Sequence, residues 1–182
     1  MIIICAADFH GKKERYEHFI RGIEKEKPDI CVIAGDMGYI DESIFNKIDL
    51  PFYAVHGNTD SNLKYEKINF IDGKNLKINS LKFSGIGKLF PEIEGVDIII
   101  SHFPPYKTKD KAFFGMHIGD KKLRKIMEEK KPSYIICGHV HEDAGYDKFC
   151  DTIVVNCSVG KSGEYTIIDT DKGKIVMVGY DV

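Results

Sequence analysis

The chain has 182 residues, 43% of them hydrophobic and 30% charged, which suffices for one sizeable core and is ordinary for a globular protein. A net charge of −2 gives no support to a general nucleic-acid-binding surface. The sequence has no basic leader with a cleavage site and no apolar run of about 18 residues, so neither secretion nor a membrane span is expected.

The cysteine pattern argues against a disulfide framework. The five cysteines are an odd number and form no CxxC pair. Cys5, Cys31 and Cys137 lie inside apolar runs, where a free thiol behaves as a small buried hydrophobic group. We therefore expect a reducing, cytoplasmic environment.

The first third of the chain alternates apolar runs with amphipathic segments. Three runs are predicted to be buried strands: residues 1–7, 30–34 and 52–55. Between them lie a predicted helix over residues 13–27, ended by Pro28, and a weaker one over residues 40–48. This βαβαβ order predicts a parallel sheet with helices outside.

After Asp60 the predicted elements become shorter. Strands are predicted at residues 67–71, 76–78, 81–85, 96–101, 134–137, 153–155, 165–168 and 175–178. A Pro- and Lys-rich loop over residues 103–118 precedes a predicted helix over residues 121–131. Because no repeat, linker or low-complexity segment interrupts the chain, we predict a single α/β domain over residues 1–182.

Five of the predicted strands end in polar residues of types that bind metals. These ends are Asp8-Phe9-His10, Gly35-Asp36, His56-Gly57-Asn58-Thr59-Asp60, His102 and Gly138-His139-Val140-His141. In open α/β sheets, ligands bind outside the carboxyl ends of the strands, so five such ends can converge on one cleft.

The residue types and their spacing favour a metal site. Residues i and i+2 of an extended segment project to the same side, so Asp8 with His10, and His139 with His141, can each direct two ligands into one site. Imidazole, carboxylate and amide oxygen without thiolate suit ions such as Mn²⁺, Fe, Co, Ni or Zn²⁺. Each motif alone is a common turn or strand end, and it is their joint, ordered occurrence that supports the prediction.

These five motifs resemble the motif set of the calcineurin-like metallophosphoesterases, over residues 1–160, and the small size is similar to the compact bacterial and archaeal phosphodiesterases of that superfamily. The resemblance implies a four-layer α/β/β/α sandwich with two facing mixed sheets. It implies two divalent transition-metal ions, with Mn favoured among Mn, Ni, Fe, Co and Zn. One would be held by Asp8, His10, Asp36 and His141, and the other by Asp36, Asn58, His102 and His139, with Asp36 bridging. Asn156-Cys157-Ser158 also resembles the Asn-Pro-Gly-Ser stretch of the small members, with a deletion.

One position departs from the family pattern. Most members read Gly-Asn-His-Asp or Gly-Asn-His-Glu, and that histidine protonates the leaving group, whereas this chain has Thr59. A hydroxyl of alcohol-like pKa is a poor proton donor near neutral pH. Asp60, which would orient the missing histidine, is then expected to serve only in turn geometry.

Another group must therefore help the leaving group depart. His117 is a candidate, because Gly115 and Gly119 bracket it in the 103–118 loop and imidazole titrates near neutrality. We predict catalytic roles for Asn58, His102 and His117. The alternative for His117 is a solvent-exposed or core-capping histidine.

The predicted reaction is hydrolysis of a phosphate ester. Two divalent ions, less the charges of Asp8 and Asp36, leave the site at about +2, which attracts a phosphate anion, and they generate a hydroxide between them near neutral pH. Without a donor at Thr59 or a basic track, a small phosphodiester such as a cyclic nucleotide is favoured over an alkyl phosphomonoester or long DNA.

Alternatives within the resemblance stay open. They are a phosphomonoesterase, a nuclease, and a non-catalytic scaffold of the retromer-subunit type, although a scaffold would be expected to have lost metal ligands. The expected partner is a small phosphodiester, with neither a membrane nor extended nucleic acid, and a homodimer is left open.

Overall fold

The computed structural model describes residues 1–160 and 163–179, in which twelve strands form two six-stranded sheets. In spatial order, the first sheet contains β12 (Lys174–Val178), β11 (Tyr165–Asp169), β1 (Ile2–Ala6), β2 (Ile30–Ala34), β3 (Phe52–Val55) and β4 (Asn69–Phe70). The second contains β5 (Asn75–Ile78), β6 (Leu81–Ile86), β7 (Ile98–Ser101), β8 (Tyr134–Cys137), β10 (Thr152–Asn156) and β9 (Gly145–Phe149). Each sheet is mixed, with four strands paired in parallel and two more joined through antiparallel pairing.

Three groups of buried side chains separate four layers. The first group packs helix α1 (Lys13–Glu26) against the first sheet and includes Ile33. The second lies between the sheets and includes Val32, which points the opposite way because successive strand residues alternate faces. The third packs helix α2 (Lys121–Lys130) against the second sheet through Leu123. The predicted α/β/β/α sandwich with two mixed sheets is therefore confirmed.

The sequences of the two long helices explain which face is buried in α1, where α2 begins and where both helices end. α1 buries Tyr16, Phe19 and Ile23 on one face, and α2 begins at Asp120, whose carboxylate accepts a hydrogen bond from the Leu123 N–H. Each ends in a left-handed lysine followed by proline, which cannot continue a helix. No helix in the described residues is long and apolar enough to cross a membrane.

Two predicted elements differ from the structure. The helix predicted over residues 40–48 is only one turn of 3₁₀ helix, Glu42–Phe45, because one turn already buries Phe45 and so short a segment does not offset the cost of helix nucleation. The strand predicted over residues 67–71 is the two-residue edge strand β4. All five cysteines are free, as expected. The single domain over residues 1–182 stays a prediction, and residues 161–162 and 180–182 lie outside the described part.

Candidate metal site at the carboxyl ends of the strands

The structure brings all seven predicted metal ligands together. They follow β1, β2, β3, β7 and β8, and are Asp8, His10, Asp36, Asn58, His102, His139 and His141. Two overlapping groups of these side chains are close enough to share an ion, with ligand atoms within 4.8 Å of one another: Asp8 with His10 and His141, and Asp8 with Asp36 and His102. Convergence at strand ends follows from the parallel order of the strands that carry them.

Backbone strain is concentrated at these residues. Asp8, His10, Asp36 and His139 have positive φ angles of 64°, 51°, 51° and 73°, a conformation that non-glycine residues rarely adopt. The His10 N–H donates to the Asp36 carbonyl at 2.9 Å, and the Arg15 guanidinium donates to the Asp8 carbonyl. Such strain persists only where the surroundings enforce it, and it is typical of functional sites.

The Asp8 carboxylate is held so that one of its oxygens is left without a donor. Oδ2 accepts from the His139 N–H at 2.9 Å and from the Ser158 hydroxyl at 2.6 Å. Oδ1 is buried and has no hydrogen-bond partner within residues 1–160 and 163–179. An unpaired buried carboxylate oxygen is costly, so the arrangement fits a bound cation.

Two imidazoles face this orphaned oxygen and form the open half of the site. Nε2 of His10 lies 3.4 Å from Nε2 of His141, and the two rings are nearly parallel, with centroids 5.4 Å apart. Nε2 of His141 lies 3.6 Å from Asp8 Oδ1. With 33% and 40% of their side chains exposed, His10 and His141 face solvent on one side.

The second half of the site centres on the buried His102, for which we call it the buried half, although His139 is partly buried and Asn58 is exposed. Nδ1 of His102 lies 2.9 Å from the Ala34 carbonyl, which can only accept, so Nδ1 carries the proton and Nε2 carries the lone pair in a neutral ring. Asn58 Oδ1 and His139 Nδ1 lie 2.9 and 3.2 Å from that Nε2. Burial, and then the neighbouring His102, lower the pKa of His139, so its ring is also neutral at neutral pH. Converging acceptor atoms of this kind suit a divalent cation.

Asp36 lies between the two halves. Its Oδ1 is 3.5 Å from His102 Nε2, and its Oδ2 is 3.8 Å from His10 Nδ1, so it directs one oxygen toward each half. The Thr59 N–H donates to Oδ1 at 3.0 Å. A Cβ on Gly57 would stand only 2.0 Å from the same oxygen, so this position requires glycine. This placement fits the bridging role that the resemblance implies.

Asp60 has a wider role than the turn geometry expected of it. Its buried carboxylate accepts three backbone N–H groups, those of Met37, Gly38 and Gly57, at 2.9–3.0 Å. It therefore ties the loop that carries Asp36 to the loop that carries Asn58. Sequence reasoning missed this role, because two of the three donors are more than twenty residues away.

Ser158 and Asn156 support the candidate metal site through hydrogen bonds. The Ser158 hydroxyl lies 2.6 Å from Asp8 Oδ2 and 2.7 Å from Asn156 Oδ1. The Asn156 amide donates to the Val140 carbonyl at 2.8 Å, which fixes the segment that carries His141. The resemblance of Asn156-Cys157-Ser158 to a family stretch was the one signal in the sequence, and it gave no role to either side chain.

The structure does not bring His117 into contact with the seven predicted ligands. Its Nδ1 lies 2.6 Å from Oδ1 of the fully buried Asp110, and its ring packs edge-on against Tyr106. Thr59, at the position of the usual proton donor, is exposed. The catalytic role of His117 thus stays a prediction.

Comparison with known proteins identifies the family. A model of the calcineurin-like phosphoesterases matches residues 1–143. The sequence is 30% identical to the uncharacterized protein MJ1162 of Methanocaldococcus jannaschii, over 97% of this chain and 95% of that protein. The fold is similar to that of TT1561 of Thermus thermophilus (TM-score 0.71, 14% identity, 98% of each chain). It is also similar to that of a novel archaeal phosphodiesterase (TM-score 0.70, 18% identity, 98% of this chain and 99% of that one). Since the family match covers well over half of its length, the chain belongs to the calcineurin-like phosphoesterase family.

Proposed function

We propose that this protein is a phosphodiesterase that uses two divalent transition-metal ions to hydrolyse a small phosphodiester. The observation that carries the proposal is Asp8 Oδ1, a buried carboxylate oxygen without a hydrogen-bond donor in the described part of the chain, faced by the His10 and His141 imidazoles. Protein donors already occupy its Oδ2, so a cation is the natural partner for Oδ1.

The ligands divide between the two halves of the site. Asp8, His10 and His141 would hold one ion and Asn58, His102 and His139 the other, with one Asp36 oxygen toward each. When bound, the ions would lower the pKa of water and neutralise charge on the phosphate oxygens. The Asn58 amide and the His102 imidazole, two of the three predicted catalytic residues, lie 2.9 Å apart and would help to position the phosphate.

The residue at position 59 supports a diester substrate. Thr59 is exposed and presents a hydroxyl where most of the family has an imidazole, while its N–H is used to position Asp36. Alkyl phosphomonoesters depend strongly on protonation of the leaving group, and a hydroxyl supplies little. A diester with a better leaving group, such as an aryl phosphodiester, is less affected.

The His117–Asp110 pair is the best candidate for a replacement proton donor. The buried Asp110 carboxylate fixes Nδ1, and Nε2 has no hydrogen bond within the described ranges. A carboxylate that orients an imidazole in this way is a recurrent acid–base arrangement. This supports the proposal that His117 contacts substrate.

A non-catalytic scaffold is the second candidate function. It would not require a complete ligand set, whereas here seven ligand side chains are positioned, several at strained backbone angles. Backbone strain costs free energy and is rarely kept at residues without a function, which favours an enzyme over a scaffold.

A metal screen with paired chromogenic substrates tests the proposal. Chelator-treated protein is loaded with Mn²⁺, Ni²⁺, Co²⁺ or Zn²⁺, its metal content is measured by elemental analysis, and bis(p-nitrophenyl) phosphate is compared with p-nitrophenyl phosphate and an alkyl monoester. We expect about two ions per chain and faster turnover of the diester. Fewer than one ion per chain, or faster turnover of the alkyl monoester, contradicts the proposal.

A further inference from the structure

Exposed apolar side chains are concentrated in one short segment. Phe113, Phe114, Met116 and Ile118 are all exposed, with Phe114 fully exposed and Phe113 exposed by 68%. We call residues 113–118 the apolar loop. Single exposed hydrophobic residues are normal on a protein surface, but a contiguous group marks an interaction site.

The base of the apolar loop is tightly built. Lys111 and His117 pair as an antiparallel bridge, and the Ala112 N–H donates to the Met116 carbonyl at 2.9 Å. The buried Asp110 carboxylate accepts from His117 and also from three backbone N–H groups, those of Lys107, Thr108 and Gly119. The hydrogen bonds at the base therefore keep these apolar side chains exposed to solvent and prevent them from packing against the rest of the protein.

Lysines surround that base. The ammonium groups of Lys107 and Lys121 lie 5.6 and 5.2 Å from the ring centroid of Tyr106, which packs against His117, and Lys111 is exposed beside them. Residues 107–125 contain seven lysines and arginines, of which Lys109, Arg124 and Lys125 are paired with carboxylates. The other four, Lys107, Lys111, Lys121 and Lys122, have no ion pair within residues 1–160 and 163–179. Positive charge is thus concentrated around the apolar loop.

The base is also fastened beside the open half of the metal site. The Lys109 ammonium lies 2.7 Å from Asp143, whose carboxylate also accepts the Lys111 N–H at 2.9 Å. Asp143 belongs to the short turn that begins at His141. Whatever binds the apolar loop therefore lies near the entrance to the site.

We propose that the apolar loop docks the protein on an anionic lipid surface. Exposed Phe, Met and Ile side chains enter the headgroup region, and the lysines at the base attract acidic lipids. Apolar insertion alone and electrostatic attraction alone each give weak membrane binding, whereas the two together give the affinity that a peripheral membrane protein requires. Our expectation of no membrane partner rested on the lack of a spanning segment, which does not bear on surface docking.

Charge and side-chain type favour lipid over two other occupants. A symmetric contact between two copies through this loop would bring the two sets of lysines together, which is repulsive. Single-stranded nucleic acid binds by stacking on aromatic rings, and only two of the four exposed apolar side chains, Phe113 and Phe114, are aromatic, whereas a lipid surface also accepts Met116 and Ile118.

A single introduced tryptophan tests the proposal directly. The chain contains no Trp, so Phe114→Trp provides the only indole in the protein. Its emission should shift to the blue on vesicles of phosphatidylglycerol and phosphatidylcholine, and stay unchanged on pure phosphatidylcholine. Leu89→Trp is the control, because Leu89 is also an exposed hydrophobic residue, by 68%, but lies on another loop, and its emission should not shift.

A charge variant tests the second component. Replacing Lys107, Lys111 and Lys121 by Gln should weaken binding to the anionic vesicles by more than about tenfold at low salt. Thermal unfolding checks that the variants fold.

The proposal is overturned by the absence of a shift with anionic vesicles, or by an equal shift of Leu89→Trp. It is equally overturned if a single-stranded oligonucleotide, not the vesicles, binds the loop, or if Phe114→Ser dissolves a dimer. No catalytic assay is involved, so these results are independent of the proposed enzymatic function.

Discussion

The two halves of the candidate metal site are held in different ways. His102, in the buried half, is 2% exposed, and the Ala34 carbonyl fixes its ring through Nδ1. His10 and His141, in the open half, are partly exposed, and their imidazoles lie close to each other and to the Asp36 and Asp8 carboxylates, with no main-chain carbonyl fixing either ring among the described residues. The hydrogen bond to the main chain therefore preorganises His102 in the buried half, whereas the two histidines of the open half have more freedom and are more accessible to solvent.

Replacing the residue shared by both halves should have the largest effect. Asp36→Asn removes the charge that faces both His10 and His102. Outer partners of ligands are worth about 10–100-fold in metal affinity or activity, so loss of a shared ligand should cost more than about 100-fold in kcat/KM. Elemental analysis should show that the protein binds both ions with lower affinity. Loss of a single ion, with the other retained at full affinity, would show that Asp36 belongs to one half only.

Removing one histidine from each half should separate stability from metal binding. In metal-free protein, His102→Ala opens a buried space and removes a hydrogen-bond donor from the Ala34 carbonyl, which should cost about 2 kcal/mol of unfolding free energy. His10→Ala, at a partly exposed position, should cost less than about 1 kcal/mol. Denaturant unfolding of both variants measures the difference. Equal losses would contradict the division into a preorganised and an open half.

Ser158 tests whether the orientation of Asp8 matters. Ser158→Ala removes a donor to Asp8 Oδ2, which frees the carboxylate to turn. Metal affinity or activity should fall by about 10–100-fold. Ser84→Ala is the matched control, because Ser84 is also buried and its hydroxyl has no partner in the described part of the chain. Similar losses in the two variants would indicate a general effect of core serines and not orientation of Asp8.

The convergence of the seven side chains could be predicted from the sequence because each of them follows an apolar strand. Asp8 and His139 lie 131 residues apart and follow strands of different sheets, yet the His139 N–H donates to Asp8 because the strand ends of the two sheets lie side by side. The resemblance then predicted the layers that the structure confirms. Apolar runs and strand-end polar residues are local features that a single sequence displays.

The supporting contacts could not be predicted because they depend on tertiary structure. Ser158 reaches Asp8 across 150 residues through a loop after β10, and nothing in the local pattern indicates that partner. Asp60 bonds to main-chain N–H groups, which every non-proline residue has and which leave no mark in the sequence. The helix predicted at residues 40–48 was wrong for a similar reason, since the packing of Phe45 decides its length.

Restoring the family's usual residue should raise one activity selectively. Thr59→His places an imidazole where the exposed hydroxyl stands, and general acid catalysis is worth about 10²–10⁴-fold. Turnover of an alkyl phosphomonoester should rise by at least about tenfold, while that of an aryl diester changes little. The backbone N–H that positions Asp36 is kept in this variant. No gain on the monoester would mean that position 59 does not reach the leaving group.

The smallest expected effect concerns His117. If its imidazole protonates the leaving group, His117→Ala should lower turnover of substrates with poor leaving groups by about tenfold and leave activated aryl diesters nearly unchanged. Metal content should stay the same, because His117 contacts Asp110 and Tyr106 and, within residues 1–160 and 163–179, none of the seven ligands.

His18→Ala provides the matched control for this test. His18 is 29% exposed and lies 2.8 Å from Glu164, and His117 is 26% exposed and lies 2.6 Å from Asp110, so the two variants remove histidine–carboxylate contacts of similar length. His18 lies on α1, and its loss should affect both classes of substrate equally and weakly. A His117→Ala effect that is likewise independent of the leaving group would assign His117 to the base of the apolar loop, because general acid catalysis must weaken as the leaving group improves.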